Sequence, residues 1–167
     1  MMTRAEAQAV CNNLRARDRA ELACYGYAPE DAAEAFLAPA VLARAFHDAQ
    51  GPQALIAFHA LTPATLVVSL MATDRWSHVA RPVFRWGHVT ARPLLLARGF
   101  RRAECRTLEG HADAIRFLER LGFVRECPVP QFGANGATFI QYAWRLNDHV
   151  PLQIAQDAAA TTATSTP

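Results

Sequence analysis

Two apolar runs in the middle of the chain constrain the fold more than any other feature. They cover residues 54–61 and 65–72 and are separated only by the turn residues around Thr62 and Pro63. Their lengths and β-branched content favour two adjacent strands over helices. Helical spacing follows at 77–97 and at 112–121, with a short strand pattern at 103–108 between them. This mixture predicts an α/β (α+β) fold, with one mixed central sheet and helices on both faces.

The flanking segments extend this order in both directions. Residues 3–17 have the pattern of an amphipathic helix, residues 19–26 are short enough for a strand, and Pro29 opens a second helix that we expect to continue past Pro39 to Phe46. Alternation predicts a last strand at 138–146. Residues 151–167 are a low-complexity run of Ala, Thr and Ser. We therefore predict one domain over residues 1–150 and a C-terminal tail or arm over 151–167.

Composition excludes several classes of protein. No apolar run approaches the ~20 residues of a membrane-spanning helix, and the polar N-terminus is unlike a secretion signal. The net charge of +2 is small for a nucleic-acid-binding protein, and aromatic residues that could stack on bases are not interleaved with the arginines, so sequence-specific recognition is not expected. The cysteines and histidines lack metal-ligand spacing, which predicts no metal site.

The segment from Gly99 to Cys105 and the helix that ends in Leu121-Gly122-Phe123 resemble the second half of GNAT-fold N-acetyltransferases. In that family a strand is followed by a helix written approximately A-x-x-[LF]-Y-x-[KR]-x-G-F, and the order of elements agrees over roughly residues 3–146. The pattern is also similar to GNAT-like proteins of phages and prophages, including internal virion proteins. The resemblance implies a GNAT-like sheet and a possible site for acetyl-CoA.

The resemblance also allows the expected site to be compared with this chain. GNAT enzymes hold the coenzyme A pyrophosphate on a loop of the form [RQ]-x-x-G-x-[GA] at a helix N-terminus. The matching stretch places Arg75 and Ala80 at its ends and His78 where glycine belongs, with Ser77 and Val79 beside it. These five residues are the cofactor-binding candidates if acetyl-CoA binds.

The proton-transfer positions differ from the family pattern as well. Leu118 stands where many GNAT enzymes have the tyrosine that protonates the departing thiolate. Glu104 and Glu109 are carboxylates near the expected cleft, and neither is assigned as a base. His111, at the start of the 112–121 helix, is expected to cap the helix or to lie on the surface.

These departures lead to a main hypothesis and two alternatives. The first is a non-catalytic GNAT-fold protein without a cofactor, a structural or interaction component of a phage virion found in the virion or host cytoplasm. The second is an acyl-CoA-dependent N-acetyltransferase with a divergent pyrophosphate loop. The third is a sensor of a small ligand on the same fold. In the first case, Trp76 and His78 are expected to fill the cleft that the pyrophosphate occupies in active relatives.

Two regions are candidates for binding a partner protein. Arg81, Arg85, His88 and Arg92 fall on one face of the 77–97 helix. Such a stripe could meet phosphates or an acidic partner, or it could be a solvated outer face. In the tail, Leu152 and Ile154 are the large apolar side chains, and we expect them to anchor an arm on another subunit of an assembly.

Overall fold

The computed structural model describes residues 2–145. It contains six α-helices: α1 (Arg4–Asn12), α2 (Ala16–Tyr25), α3 (Pro29–Leu37), α4 (Trp76–Trp86), α5 (Arg92–Ala97) and α6 (Ala112–Leu121). A π-helical turn at Gly87–Ala91 joins α4 to α5. The strands are β1 (Leu42–Asp48), β2 (Gly51–Ala60), β3 (Thr65–Ala72), β4 (Arg102–Leu108), β5 (Val124–Val129) and β6 (Phe139–Arg145).

The strands form one mixed sheet in the order β1-β2-β3-β4-β6-β5. Neighbouring strands are antiparallel except for β3 and β4, which are parallel. The connection between these two strands runs through α4, the π-helical turn and α5. The sheet confirms the predicted mixed α/β fold and its single layer of strands.

Each face of the sheet has its own hydrophobic core. Ile56 and Phe58 of β2 point to the face covered by α4, α5 and α6, whereas their neighbours Leu55 and Ala57 point to the face covered by α1, α2 and α3. This alternation follows from the two-residue repeat of a strand. It explains why residues 54–58 are apolar without interruption: both faces of β2 are buried.

The N-terminal region differs from the sequence prediction in three places. The first helix ends at Asn12 rather than at residue 17. Residues 19–26 were predicted as a strand, but residues 19–25 lie within α2, which is followed by Gly26 in a left-handed conformation. The predicted helix through Phe46 stops at Leu37, since Pro39 follows, and residues 42–48 form β1 instead.

The central elements match the prediction closely. The strands expected at 54–61 and 65–72 are β2 and β3, and the helix expected at 112–121 is α6. Pro82 lies inside α4 without ending it. The last strand is β6, described to Arg145, and the predicted tail with Leu152 and Ile154 lies outside the described residues. Among residues 2–145, no helix is long and apolar enough to cross a membrane.

Candidate functional site

The parallel strands β3 and β4 pair only at their N-terminal ends. Their register runs through three residue pairs and ends at Val67 opposite Glu104. Beyond this point the strands diverge, and residues 68–72 and 105–108 have no pairing partner across the gap. A cavity of about 490 Å³ lies at the divergence.

The cavity passes through the sheet. On one side it is lined by Phe58 and Leu121, which belong to the core under α4 and α6. On the other side it reaches Leu22 and Phe36, which belong to the core under α1, α2 and α3. Cys105 lines it from β4, and burial raises the pKa of its thiol. A ligand in this cavity would therefore contact helices from both faces.

Polar side chains are concentrated where the two diverging strands end. Asp18 Oδ2 accepts a hydrogen bond of 2.8 Å from the backbone N–H of Ala72, the last residue of β3. Glu21 Oε2 accepts one of 3.1 Å from the N–H of Leu108, the last residue of β4. Two carboxylates of α2 thus hold the ends of both strands.

His111 joins these two carboxylates. Its Nδ1 donates to Glu21 Oε2 over 2.8 Å, and its Nε2 lies 3.4 Å from Asp18 Oδ1. The ring is only 4 % exposed, and Nε2 makes no hydrogen bond within the described part of the chain. His111 occupies the N-cap position of α6, but its side chain makes no capping hydrogen bond and is buried beside the cavity, so the expected surface placement is wrong. Burial raises the pKa of Asp18, although the Arg15 guanidinium acts in the opposite direction.

The predicted pyrophosphate loop lies at the start of α4, next to the cavity. Arg75 is tied to Asp48, with 2.7 Å between Nε and Oδ2. The N–H groups of Trp76 and His78 donate to the carbonyl oxygens of Thr73 and Arg75. The N–H of Ser77 donates to no atom of residues 2–145. This helix N-terminus thus presents fewer free donors than a glycine-rich loop.

The expectation of a closed cleft is wrong. His78 is exposed on α4 and does not line the cavity. Trp76 does line it and packs edge-on against Phe117 of α6, with 4.8 Å between ring centroids. A cavity of about 490 Å³ nevertheless remains between β3 and β4.

The other positions considered for proton transfer either lie outside the cavity or carry a side chain that cannot transfer a proton. Glu104 pairs with Arg102 and accepts a hydrogen bond from Gln141, and Glu109 is exposed. Leu118 lines the cavity as an apolar side chain. Among the described residues no group of His, Cys, Asp or Glu is arranged to hold a metal ion.

The predicted basic stripe is divided by the π-helical turn. Arg81 and Arg85 are exposed. His88 instead packs against Phe84, and the Arg92 guanidinium lies 5.6 Å from the ring centre of Trp144. The turn adds a residue to the helical repeat and so rotates the following residues toward the sheet. A four-residue stripe on one exposed face is therefore not present, and partner binding by these residues stays a prediction.

Comparison with known proteins identifies the fold. The sequence matches no protein-family model and no curated protein. The ribosomal-protein-S18-alanine N-acetyltransferase from Escherichia coli is similar in structure, with a TM-score of 0.65, 12% identity and coverage of 91% of this chain and 94% of that one. The chain has the GNAT fold.

Two further structures with this fold bear on the cofactor. YncA from Salmonella typhimurium, solved with its cofactor acetyl-CoA, has a TM-score of 0.65 at 13% identity, over 89% of this chain and 93% of that chain. The aminoglycoside 6'-N-acetyltransferase from Enterococcus faecium has a TM-score of 0.61 at 14% identity, over 87% and 92%. The presence of acetyl-CoA in YncA contradicts our expectation of a cofactor-free protein. None of these neighbours supports the phage or virion hypothesis.

Proposed function

We propose that this protein is an acyl-CoA-dependent N-acyltransferase whose reaction takes place in the cavity between β3 and β4. The observation that carries the proposal is the divergence of these strands beyond Val67 and Glu104. It leaves an apolar passage lined by residues from both faces of the sheet. Two reactants that enter from opposite faces would meet in a fixed orientation, which is a large part of the catalysis of group transfer.

The residues around the passage fit acetyl-CoA in part. Val68, Leu70 and Cys105 offer an apolar wall for an extended arm, and the unpaired strand edges offer backbone groups for its amides. At the start of α4, the free N–H of Ser77 and the positive end of the helix suit a phosphate. When bound, acetyl-CoA would supply the acyl group as an activated thioester.

The five loop candidates contribute unequally to this proposal. Arg75 is engaged by Asp48, and Val79 is fully buried in the core. Ser77 and His78 are exposed, and Ala80 is half-buried. We therefore propose that the phosphates bind at the N–H of Ser77 and at the N-terminal end of α4. Cofactor binding by the other four residues remains a prediction from the sequence.

The residues around the cavity would enclose and orient the two reactants, and they provide polar groups at one end of it. The aromatic and aliphatic lining excludes water from the reacting groups, which strengthens electrostatic interactions there. Leu118 lines the cavity but has no proton to donate to the departing sulfur; in this proposal that proton comes from the amine. Glu21 and His111 lie at the ends of the diverging strands, where an acceptor could be bound.

Amine-dependent release of coenzyme A from acetyl-CoA tests this proposal. The wild-type protein should release the thiol in the presence of at least one class in a panel of primary amines. Cys105→Phe, which fills the passage, should abolish this release, whereas Cys127→Phe at an exposed position of β5 should retain it. Absence of release by folded wild-type protein across the panel, or equal release by both variants, would contradict the proposal.

A further inference from the structure

Glu21 is held at the cavity wall by three donors that all reach the same carboxylate oxygen. Thr107 Oγ1 and His111 Nδ1 each donate to Oε2 over 2.8 Å, and the N–H of Leu108 donates to it over 3.1 Å. Within residues 2–145, Oε1 accepts no hydrogen bond. A carboxylate can accept hydrogen bonds at both oxygens. Oε1 is therefore the atom that remains for a ligand in the cavity.

Asp18 is the other carboxylate among the described cavity-lining residues, and it is already satisfied by the protein. Its Oδ1 accepts from Arg15 Nε over 2.7 Å, and its Oδ2 accepts from the Ala72 N–H over 2.8 Å. Its side chain is 3% exposed. A cation that enters the cavity would consequently meet Glu21 and not Asp18.

The lining next to Glu21 restricts the shape and charge of such a cation. The end of α2, the loop after it and α3 contribute aromatic and small apolar side chains, namely Tyr25, Tyr27, Ala32, Ala35, Phe36 and Ala38. Arg106, which makes no ion pair among the described residues, also lines the cavity and repels additional positive charge. A polyamine would bury ammonium groups without partners, which is costly. The residues around Glu21 therefore favour a ligand that has a single amino group attached to an aromatic or aliphatic group.

We propose that Glu21 receives the ammonium group of a monoamine acceptor with an aromatic or aliphatic body and removes a proton from it. This inference rests on the proposed acyl transfer. One proton passes from the ammonium nitrogen to Oε1. The neutral nitrogen then forms a bond to the acyl carbon as the carbon–sulfur bond breaks. A second nitrogen proton ends on the departing sulfur, and Glu21 releases its proton to solvent.

Two acceptors of similar size test the proton-transfer role. Benzylamine is mostly protonated near neutral pH, whereas phenylhydrazine is mostly neutral and needs no base before it attacks. Glu21→Gln keeps the size of the side chain and its ability to accept hydrogen bonds. It should lower kcat/KM for benzylamine by about 100-fold and that for phenylhydrazine by less than about threefold.

Binding of benzylamine in the absence of acetyl-CoA provides a measurement that does not depend on turnover. Calorimetry should show at least about tenfold weaker binding to Glu21→Gln than to the wild type, since a charge-assisted hydrogen bond is lost. Glu109→Gln removes an equal charge from an exposed position that does not line the cavity, and it should bind benzylamine like the wild type. If Glu21→Gln does not fold, Glu21→Asp should show an intermediate loss for benzylamine alone.

The possible failures are distinguishable. Equal losses for both amines, or unchanged binding of benzylamine, would overturn the role of Glu21 while leaving acyl transfer intact. A preference of the wild type for spermidine over benzylamine would overturn the acceptor class. Absence of acetyl-CoA binding would overturn the proposed function, and this inference with it.

Discussion

Trp76 is the residue at which ligand binding should be most visible. It lines the cavity, contacts Phe117, and lies 5.4 Å from the guanidinium carbon of Arg15. Trp86 and Trp144 are buried in the core, 7% and 0% exposed. Acetyl-CoA should therefore change the intrinsic fluorescence mainly through Trp76, and Trp76→Phe should remove most of the change in a titration. A full signal in this variant would place the ligand elsewhere.

Glu126 gives a pH-dependent prediction. The hydrogen bonds from Arg102 lower the pKa of this carboxyl group. A lowered pKa in the folded state contributes stability that is present above the ordinary range of glutamate and is lost as the pH falls through the lowered value. The Glu126 side chain is 35% exposed, so screening limits the contribution to about 1 kcal/mol or less.

Urea unfolding of Glu126→Gln at neutral and acid pH tests this contribution. The wild type should be the more stable protein near neutral pH, and the difference should shrink as the pH falls. Glu109→Gln serves as the control, because Glu109 is exposed and makes no side-chain ion pair within residues 2–145. A difference that stays constant over the titration would show that the Arg102 pair does not cause it.

The polar residues of the site could be predicted only in part. Glu21 was overlooked because residues 19–26 were predicted as a strand, and Asp18 because it lies between that strand and the predicted first helix. In the helix that actually forms, their spacing of three residues places them on one face. His111 was noted, but its burial depends on α2, which comes from a distant part of the chain. Sequence spacing carries no information about that contact.

At the scale of single elements, the start of α1 provides a stability test. The Glu6 N–H donates to Thr3 Oγ1 over 3.3 Å, and the Thr3 N–H donates to Glu6 Oε2 over 2.6 Å. This reciprocal capping box satisfies a free donor of the helix. Thr3→Ala should lower the free energy of unfolding by about 1 kcal/mol in chemical denaturation.

Thr90→Ala is a suitable control for the cap. Thr90 is exposed, and its side chain makes no hydrogen bond within the described residues. The same change of side chain should therefore leave the free energy of unfolding within about 0.5 kcal/mol of the wild type. Equal losses in the two variants would show that removal of a threonine, and not loss of the cap, lowers stability.

The helices and strands that could be predicted from the sequence are those with a strong apolar pattern. Strands β2 and β3 are apolar on both faces, and α6 has a clear apolar stripe that ends at Gly122, so all three were predicted. Strand β1 was missed because its sequence, LARAFHD, was predicted as the continuation of the helix that begins at Pro29, and its alanines favour a helix. The π-helical turn was missed as well, since sequence periodicity assumes a constant helical repeat.

At the scale of the whole molecule, the order of elements was predictable but the state of the cleft was not. Loop and helix residues such as His78 and Leu118 suggested a closed, inactive site. The cavity instead depends on the residue pair after which β3 and β4 diverge. It also depends on the carboxylates of α2, which accept hydrogen bonds from the last residues of both strands. These are tertiary contacts between distant segments, so local deviations from a family motif could not reveal them.

Calorimetric titration of acetyl-CoA tests most directly whether the cavity between β3 and β4 is a binding site. The wild type should bind one equivalent with a Kd of about 1 μM to 1 mM. Cys105→Phe should bind at least about tenfold more weakly, because the new ring occupies the passage, whereas Cys105→Ala and Cys127→Phe should bind like the wild type. Circular dichroism should show that all three variants are folded. No binding to the wild type, or equal binding to the wild type and Cys105→Phe, would contradict the account.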